Sequence, residues 1–507
     1  MRIPAITPAG TMSRRVAVAA GRALVIAALL LTADTSRGSY GIYVGRNLTE
    51  DGSVLLGGSG DEVSSHWLEI VPARDHPEGA TVRVGVDRTA VLPGEFMEIP
   101  QAQHTYRYLT MNYSEYEGFP PPLTNGGLNE HGVAARDIWS DSRKELVEMT
   151  PDPQHGPNYS DLSRIVMERA RSAEEAVEIV GALIDTYGYS SYGGNSHLFA
   201  DAREGWVLID YAGGQGLWIA RRLGPDEVFM AYPGYIGEIP LDFQDDPDFR
   251  GSANFIDFAV EQGWYDPEHD GPFDADAVYG TSYVRHPRRE VETALAAAAP
   301  VTLRRMLDTV RDPLISKDAT GYGQVAQLRQ DVRGDLRTLW VAPTGSVTAP
   351  FIPWRIGVTS IPAEFGKHRY LTKGEATRYV TRDWQIREAT LFAGRLFKRL
   401  MYFTCDHPAT FLPEVTAALT AFENQMIDEQ PDLEAVASTL WATGMPDQAR
   451  RMLTDYSHSH AQDALALGQA LLGSIEARTR LLYGLREPTT DEVSRLDYQM
   501  VTCRPPE

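Results

Sequence analysis

Apolar positions alternate from Ser39 to about Leu56, with Ile42, Val44 and Val54 in phase and "EDG", Glu50–Gly52, between the two runs. A period of two predicts strands, and Glu50–Gly52 predicts the turn of a hairpin. Ser39 would then stand where a strand begins. The same alternation returns over His197–Leu223, broken at Ala202–Gly205 and at the Gly-rich Ala212–Gly216, which predicts an antiparallel meander. Between these regions the spacing over Leu162–Thr186 predicts a helix, opened by "YSDLSRI" with Ser160 as its cap. Beyond Asp383 the pattern changes period. Ala389, Phe392, Leu396, Leu400 and Phe403 recur at steps of three and four, as do Val415, Leu419, Phe422 and Met426, predicting amphipathic helices whose stripes are core. Strands early and helices late make an α+β layered protein with a helical C-terminal portion, in preference to a doubly wound parallel sheet. "GGQG", Gly213–Gly216, lacks the strand and helix that flank a dinucleotide-binding loop and reads as a turn.

Ahead of this pattern lies the one long apolar run, Ala23–Leu31, preceded by Arg14, Arg15 and Arg22 and followed by polar residues from Asp34. A basic region before a short apolar core is the pattern of an export signal, and "SRRVAV" admits a twin-arginine reading. The run is too short to cross a bilayer comfortably. Residues 1–38 are therefore expected to be a signal or propeptide, and the protein to be periplasmic or extracellular with no membrane span once mature; an uncleaved start would leave it cytoplasmic.

The chain has 507 residues, 43% of them apolar, enough for a large core. Its formal charge of −22 repels polyanions and argues against a nucleic-acid partner, while a homo-oligomer is compatible with it. Cys405 and Cys503 lack metal-ligand spacing and exclude a disulfide framework; a single disulfide stays open, and burial is expected in preference to thiol chemistry. His458 and His460 of "SHSH", in a polar stretch between helices, are two apart and do not share a helical face. Asp242–Phe249 lacks the spacing of a calcium loop. No metal or organic cofactor is expected.

A serine that becomes the first residue of a chain carries a hydroxyl and an α-amine of ordinary pKa roughly 7.7–8.0, which can take the hydroxyl proton. On composition, a serine after a glycine is unremarkable. Five blocks in order change that. "YGIYVGRNLTEDGSVLLGGSGDE", "GGLNEHGVAA" (Gly126–Ala135), "NSHLFADAREGWVLIDYAGGQGLWIARRLGPDEV", "ANFIDFAVEQGWYDPEHDGPFDADAVYG" and "LRTLWVAPTGSVTAPFIPW" together resemble the dipeptidases of peptidase family C69, N-terminal nucleophile (Ntn) hydrolases, from Ser39 to about Trp441.

The resemblance implies a four-layer αββα core over residues 39–366, with residues 367–507 as a helical region packed on it. Ser39 stands where the family has its catalytic Cys, so removal of residues 1–38 would expose it. Asp61 matches the family's acidic residue and would hold the α-amine. The family's active-site Arg aligns with Gly58, and its Asn-Pro-Asn segment reads "AYPGY", with Tyr232 and Gly234 at the Asn positions. Tyr232 and Asn195 are then the expected donors to the oxyanion, while Asn129 is expected to be a turn or capping residue. The implied activity is hydrolysis of a small peptide or aminoacyl amide. A decayed binding or scaffold protein, or an enzyme passing an acyl or aminoacyl group to an amine, are the alternatives.

Overall fold

Alternation of apolar residues produces two antiparallel sheets in a computed structural model that describes residues 39–60, 66–114, 117–232, 236–281, 288–330, 332–368 and 382–485, with 487, 490, 501, 503 and 504. Their strands are β1 (Tyr40–Val44), β2 (Val54–Ser59), β3 (His66–Val71), β4 (Tyr108–Tyr113), β5 (Gly126–Asn129), β6 (Ala134–Trp139), β7 (Asn195–Ala200), β8 (Gly205–Asp210), β9 (Trp218–Leu223), β10 (Val228–Ala231), β11 (Phe249–Gly251), β12 (Gly323–Leu328), β13 (Thr338–Ala342) and β14 (Ile352–Arg355). The first sheet is six-stranded in the order β10-β1-β2-β12-β13-β14. The second is nine-stranded, β11-β9-β8-β7-β6-β5-β4-β3, with Leu123–Thr124 paired beside β4.

The sheets pack face to face. Tyr43 and Leu56 of the first meet Ala134, Ile138, Leu198, Val207 and Ile209 of the second in one buried core. Helices α1 (Tyr159–Arg169) and α2 (Ala173–Tyr187) cover the outer face of the second sheet, where Leu162, Val166, Val177 and Val180 bury Phe199, Trp206, Leu208 and Trp218. On the outer face of the first sheet, α3 (Arg288–Ala297) lies on β10 and α4 (Leu303–Val310) on β2 and β12. Helices α5 (Ala393–Asp406), α6 (Pro408–Ala442) and α7 (Pro446–Leu482) form the C-terminal portion, α6 and α7 reaching β14. The layering is α, β, β, α, as the resemblance implied. Apart from 487 and 490, these residues belong to one compact unit, Gly38–Arg486 with Met500–Glu507; a second unit, Met1–Arg37 with Glu487–Gln499, falls almost wholly outside the described residues, and so does the expected export signal.

Four local expectations are corrected. The helix over Leu162–Thr186 is two helices, because Asn129 Nδ2 donates to the carbonyls of Met167 and Ala170 while Ser172 starts α2 by capping Glu175. The cap of α1 is Asn158, not Ser160: Asn158 Oδ1 accepts from the amides of Ser160 and Asp161, and Asp161 returns the bond to Asn158 N. The stripe from Ala389 to Phe403 is likewise interrupted, at Thr390–Phe392. "SHSH" is not a linker but lies inside α7, where His458 Nε2 meets Ser360 O at 2.9 Å and His460 Nε2 lies 3.2 Å from Glu429. Cys405 and Cys503 are joined as a disulfide. Among the described residues no helix is long and apolar enough to cross a membrane.

Candidate active site

Strand β1 lies inside the first sheet between β10 and β2, and Ser39 immediately precedes it, 7% exposed. Tyr40 pairs with Ser59 and Gly41 with Gly58, while Gln324 of β12 pairs with Gly58 on its other side. Continued by one step, this register sets Ser39, Gly60 and Tyr322 in one row across three strands, and Gly321 N donates to Gly60 O at its edge.

Alternation then sorts the faces. Tyr40 points outward, its hydroxyl donating to Val310 O of α4, and Gly57 faces the same way, towards Met306 and Val310. Gly41 and Gly58 therefore face the second sheet, as does Ser39 one step back. A Cβ on Gly41 would come within 2.9 Å of Leu198, 3.1 Å of Ile138 and 3.7 Å of Arg136 Cβ, so the sheets approach closely beside the serine. Gly58 has φ +152°, and a Cβ there would lie 2.1 Å from Tyr40 O. Where the resemblance aligns an arginine, the backbone thus admits no side chain at all.

A cation nevertheless occupies this space. Arg136 is on the face of β6 turned to the first sheet, between Ala134 and Ile138, and is 1% exposed. Its Nη1 donates to the Tyr322 hydroxyl, and its guanidinium carbon is 4.9 Å from the centre of the Tyr322 ring. His66 of β3 lies tilted against the same ring at 4.9 Å and against Tyr113 at 5.1 Å. Arg136, Tyr322 and His66 were not anticipated. The signal for Arg136 was present, a charged residue on the apolar phase of "AARDIW", but the family-like block Gly126–Ala135 stops one residue short of it.

The expected site residues do not all gather here. Asp61 lies outside the described residues. Tyr232 follows β10 and packs its ring against Tyr40, centroids 6.3 Å apart, on the outward side of the sheet. Asn195 begins β7 on the face turned to α1: its Oδ1 accepts from Tyr192 OH at 2.9 Å, and its Nδ2 donates to Ser196 O at 3.1 Å. On that face His197 Nε2 lies 3.2 Å from Asp210 Oδ2, both fully buried. Burial pushes the Asp210 carboxyl above the ordinary carboxylate range, against the bonds from His197 and Tyr189. Asn129 serves its turn, accepting from His131 N and Val133 N. Among the described residues no cluster of three His, Cys, Asp or Glu side chains could hold a metal ion.

The model of peptidase family C69 matches residues 40–289, beginning one residue after Ser39. A probable dipeptidase B of Streptococcus pyogenes serotype M3 is 26% identical over 243 residues, 46% of this chain and 44% of that protein. A probable dipeptidase A of Streptococcus pyogenes serotype M3 is 26% identical over 224 residues, 43% of this chain and 44% of its own length. The chain therefore spans under half the length of these curated relatives. A solved mutant conjugated bile acid hydrolase from Clostridium perfringens aligns with 62% of this chain and 92% of its own, at 10% identity and a TM-score of 0.32. The match to peptidase family C69 thus runs through residues 40–289, whose strands and helices build most of the second sheet, its helical cover and the β1–β2 hairpin.

Proposed function

We propose that the protein is an amide hydrolase of dipeptidase type in which Ser39, freed as the first residue of the mature chain, is the nucleophile. One observation carries the reading: the serine is buried at the start of an inner strand, on the face where two sheets meet and where a buried arginine also points. Ser39 Oγ attacks the carbonyl carbon of a small peptide or aminoacyl amide and its proton passes to the Ser39 α-amine. Collapse of the tetrahedral adduct returns that proton to the leaving amine, and water then releases the acid from the seryl ester. Asp61 positions the α-amine. Tyr232, seated against Tyr40 on the outward side, and Asn195, whose amide is engaged by Tyr192 and Ser196 on the helix side, face away from Ser39 and support the two strand ends instead of donating to the oxyanion. The substrate carries its own electrophile, so the chemistry calls for no cofactor. The disulfide between Cys405 and Cys503 suits an oxidising compartment and supports export to the periplasm or beyond.

The test is twofold. N-terminal sequencing and intact mass of mature protein should give a chain that starts at Ser39. Ser39→Ala, assayed on a dipeptide panel, should lose at least about 10³-fold in kcat, as removal of a nucleophile does. Turnover unchanged by the substitution removes Ser39 from the mechanism.

A further inference from the structure

Arg136 presents a problem that the proposed hydrolase chemistry leaves open. Its side chain is 1% exposed, yet only Nη1 has a hydrogen-bond acceptor, the Tyr322 hydroxyl; Nε and Nη2 have none among the described residues. No carboxylate among the described residues pairs with it either. A guanidinium buried without a counter-charge among the described residues is costly. Nε and Nη2 share one edge of the planar group, the edge that receives a carboxylate through two parallel N–H···O bonds. Tyr322 fixes the opposite side, by its hydroxyl and by its ring.

The position of that edge decides what fills it. Arg136 Cβ sits opposite Gly41, two residues into β1 from Ser39, while the guanidinium extends to Tyr322 in the row of Ser39. Ser39 and Tyr322 are two strand spacings apart, about 10 Å, and the arginine lies over the gap between them. A carbonyl held at Ser39 Oγ has its next residue in that gap. In a dipeptide the next residue is the last one, and its α-carboxylate follows within one residue length, about 3.8 Å.

We propose that Arg136 receives the free C-terminal carboxylate of the substrate, so that the enzyme selects short peptides with an unblocked C-terminus. This rests on the reading of Ser39 as the nucleophile. The carboxylate completes the buried ion pair and places the scissile carbonyl at the serine. Arg136 thereby supplies from the opposite sheet the cation that position 58 lacks.

The experiment compares each of a panel of dipeptides with its C-terminal amide. Hydrolysis is measured with mature wild-type enzyme, and affinity by calorimetry with Ser39→Ala, which binds without turnover. Wild type should favour the acid over the amide by about 10- to 100-fold, the worth of a charge-assisted hydrogen bond. Arg136→Gln should abolish that preference by weakening the acid while leaving the amide unchanged, and Arg136→Lys, which keeps the charge but not the fork, should fall between. Equal affinity of wild type for acid and amide overturns the proposal. So does an equal loss for both in Arg136→Gln, which marks a structural role or an action on Ser39 itself. If neither variant folds, stabilisation of the Ser39→Ala protein against heat by acids but not by amides decides in its favour, and stabilisation by both decides against it. Acid-selective binding without any hydrolysis by the wild type would sink the hydrolase reading and leave the carboxylate site standing.

Discussion

Glu423 of α6 ties the C-terminal helices to the candidate site, and its replacement by Gln tests how. The carboxylate is fully buried and accepts from Arg311 Nη1 at 3.0 Å and from Phe351 N at 2.8 Å, with Arg304 Nη1 at 2.7 Å. Two guanidinium groups, Arg304 in the first turn of α4 and Arg311 just past its end, therefore share one anion. Glu423→Gln keeps the shape but leaves Arg311 buried without a counter-charge, while Arg304 retains Asp308 at 2.9 Å, a loss of about 3–5 kcal/mol. With an unfolding entropy of about 2.1 cal/mol/K per residue over roughly 400 ordered residues, Tm should fall by about 4–6 °C. The effect should also reach Ser39. Val310, beside Arg311, holds the hydroxyls of Tyr40 and Ser346 by its carbonyl, and Tyr40 follows the proposed nucleophile directly. Thermal unfolding followed by circular dichroism, with dipeptide hydrolysis at a temperature where both proteins are folded, reads the two effects separately. A Tm within about 1 °C of wild type would refute the reasoning, since a surface change does no more than that.

Two further predictions follow from buried groups. Burial pushes the Asp276 carboxyl up to about 6 against the bonds that Gly237 N and Ile236 N donate to it. A raised folded pKa means that folding takes up a proton, so this group's share of stability is held at low pH and lost as pH rises from the ordinary carboxylate value to about 6. Asp276→Asn should flatten the Tm profile across that window, and a profile parallel to wild type would contradict the assignment. The disulfide between Cys405 and Cys503 spans 98 residues, a loop whose closure is worth up to about 4.7 kcal/mol. Cys503→Ser should lower Tm and make it insensitive to reductant, and a variant as stable as the wild type would show that the tail is held by packing instead.

Much of the second sheet could be read from residue order. His197–Leu223 carries apolar runs such as Trp206–Ile209 and folds as β7, β8 and β9, because these strands are buried on both faces, one on the first sheet and one on α1 and α2. The helical period after Asp383 held for the same reason: Val415, Leu419 and Met426 are core. Where propensity failed, tertiary partners won. Asn129 ends α1 from a distant turn, and α6 continues through Pro413 and Pro431 with Phe411, Val415, Leu419, Met426 and Ala437 buried along its length.

Local periodicity and the order of short blocks carried the layered class, the resemblance to peptidase family C69 and the strand that Ser39 opens. Which side chains share the serine's space was set by packing alone. Facing is set by strand parity and sheet packing together: β7 turns Asn195 to the helices, Tyr232 lies outward against Tyr40, and β6 of the opposing sheet delivers Arg136. A one-residue difference in parity moves a side chain through the sheet, and no spacing along the chain records which sheet will lie opposite.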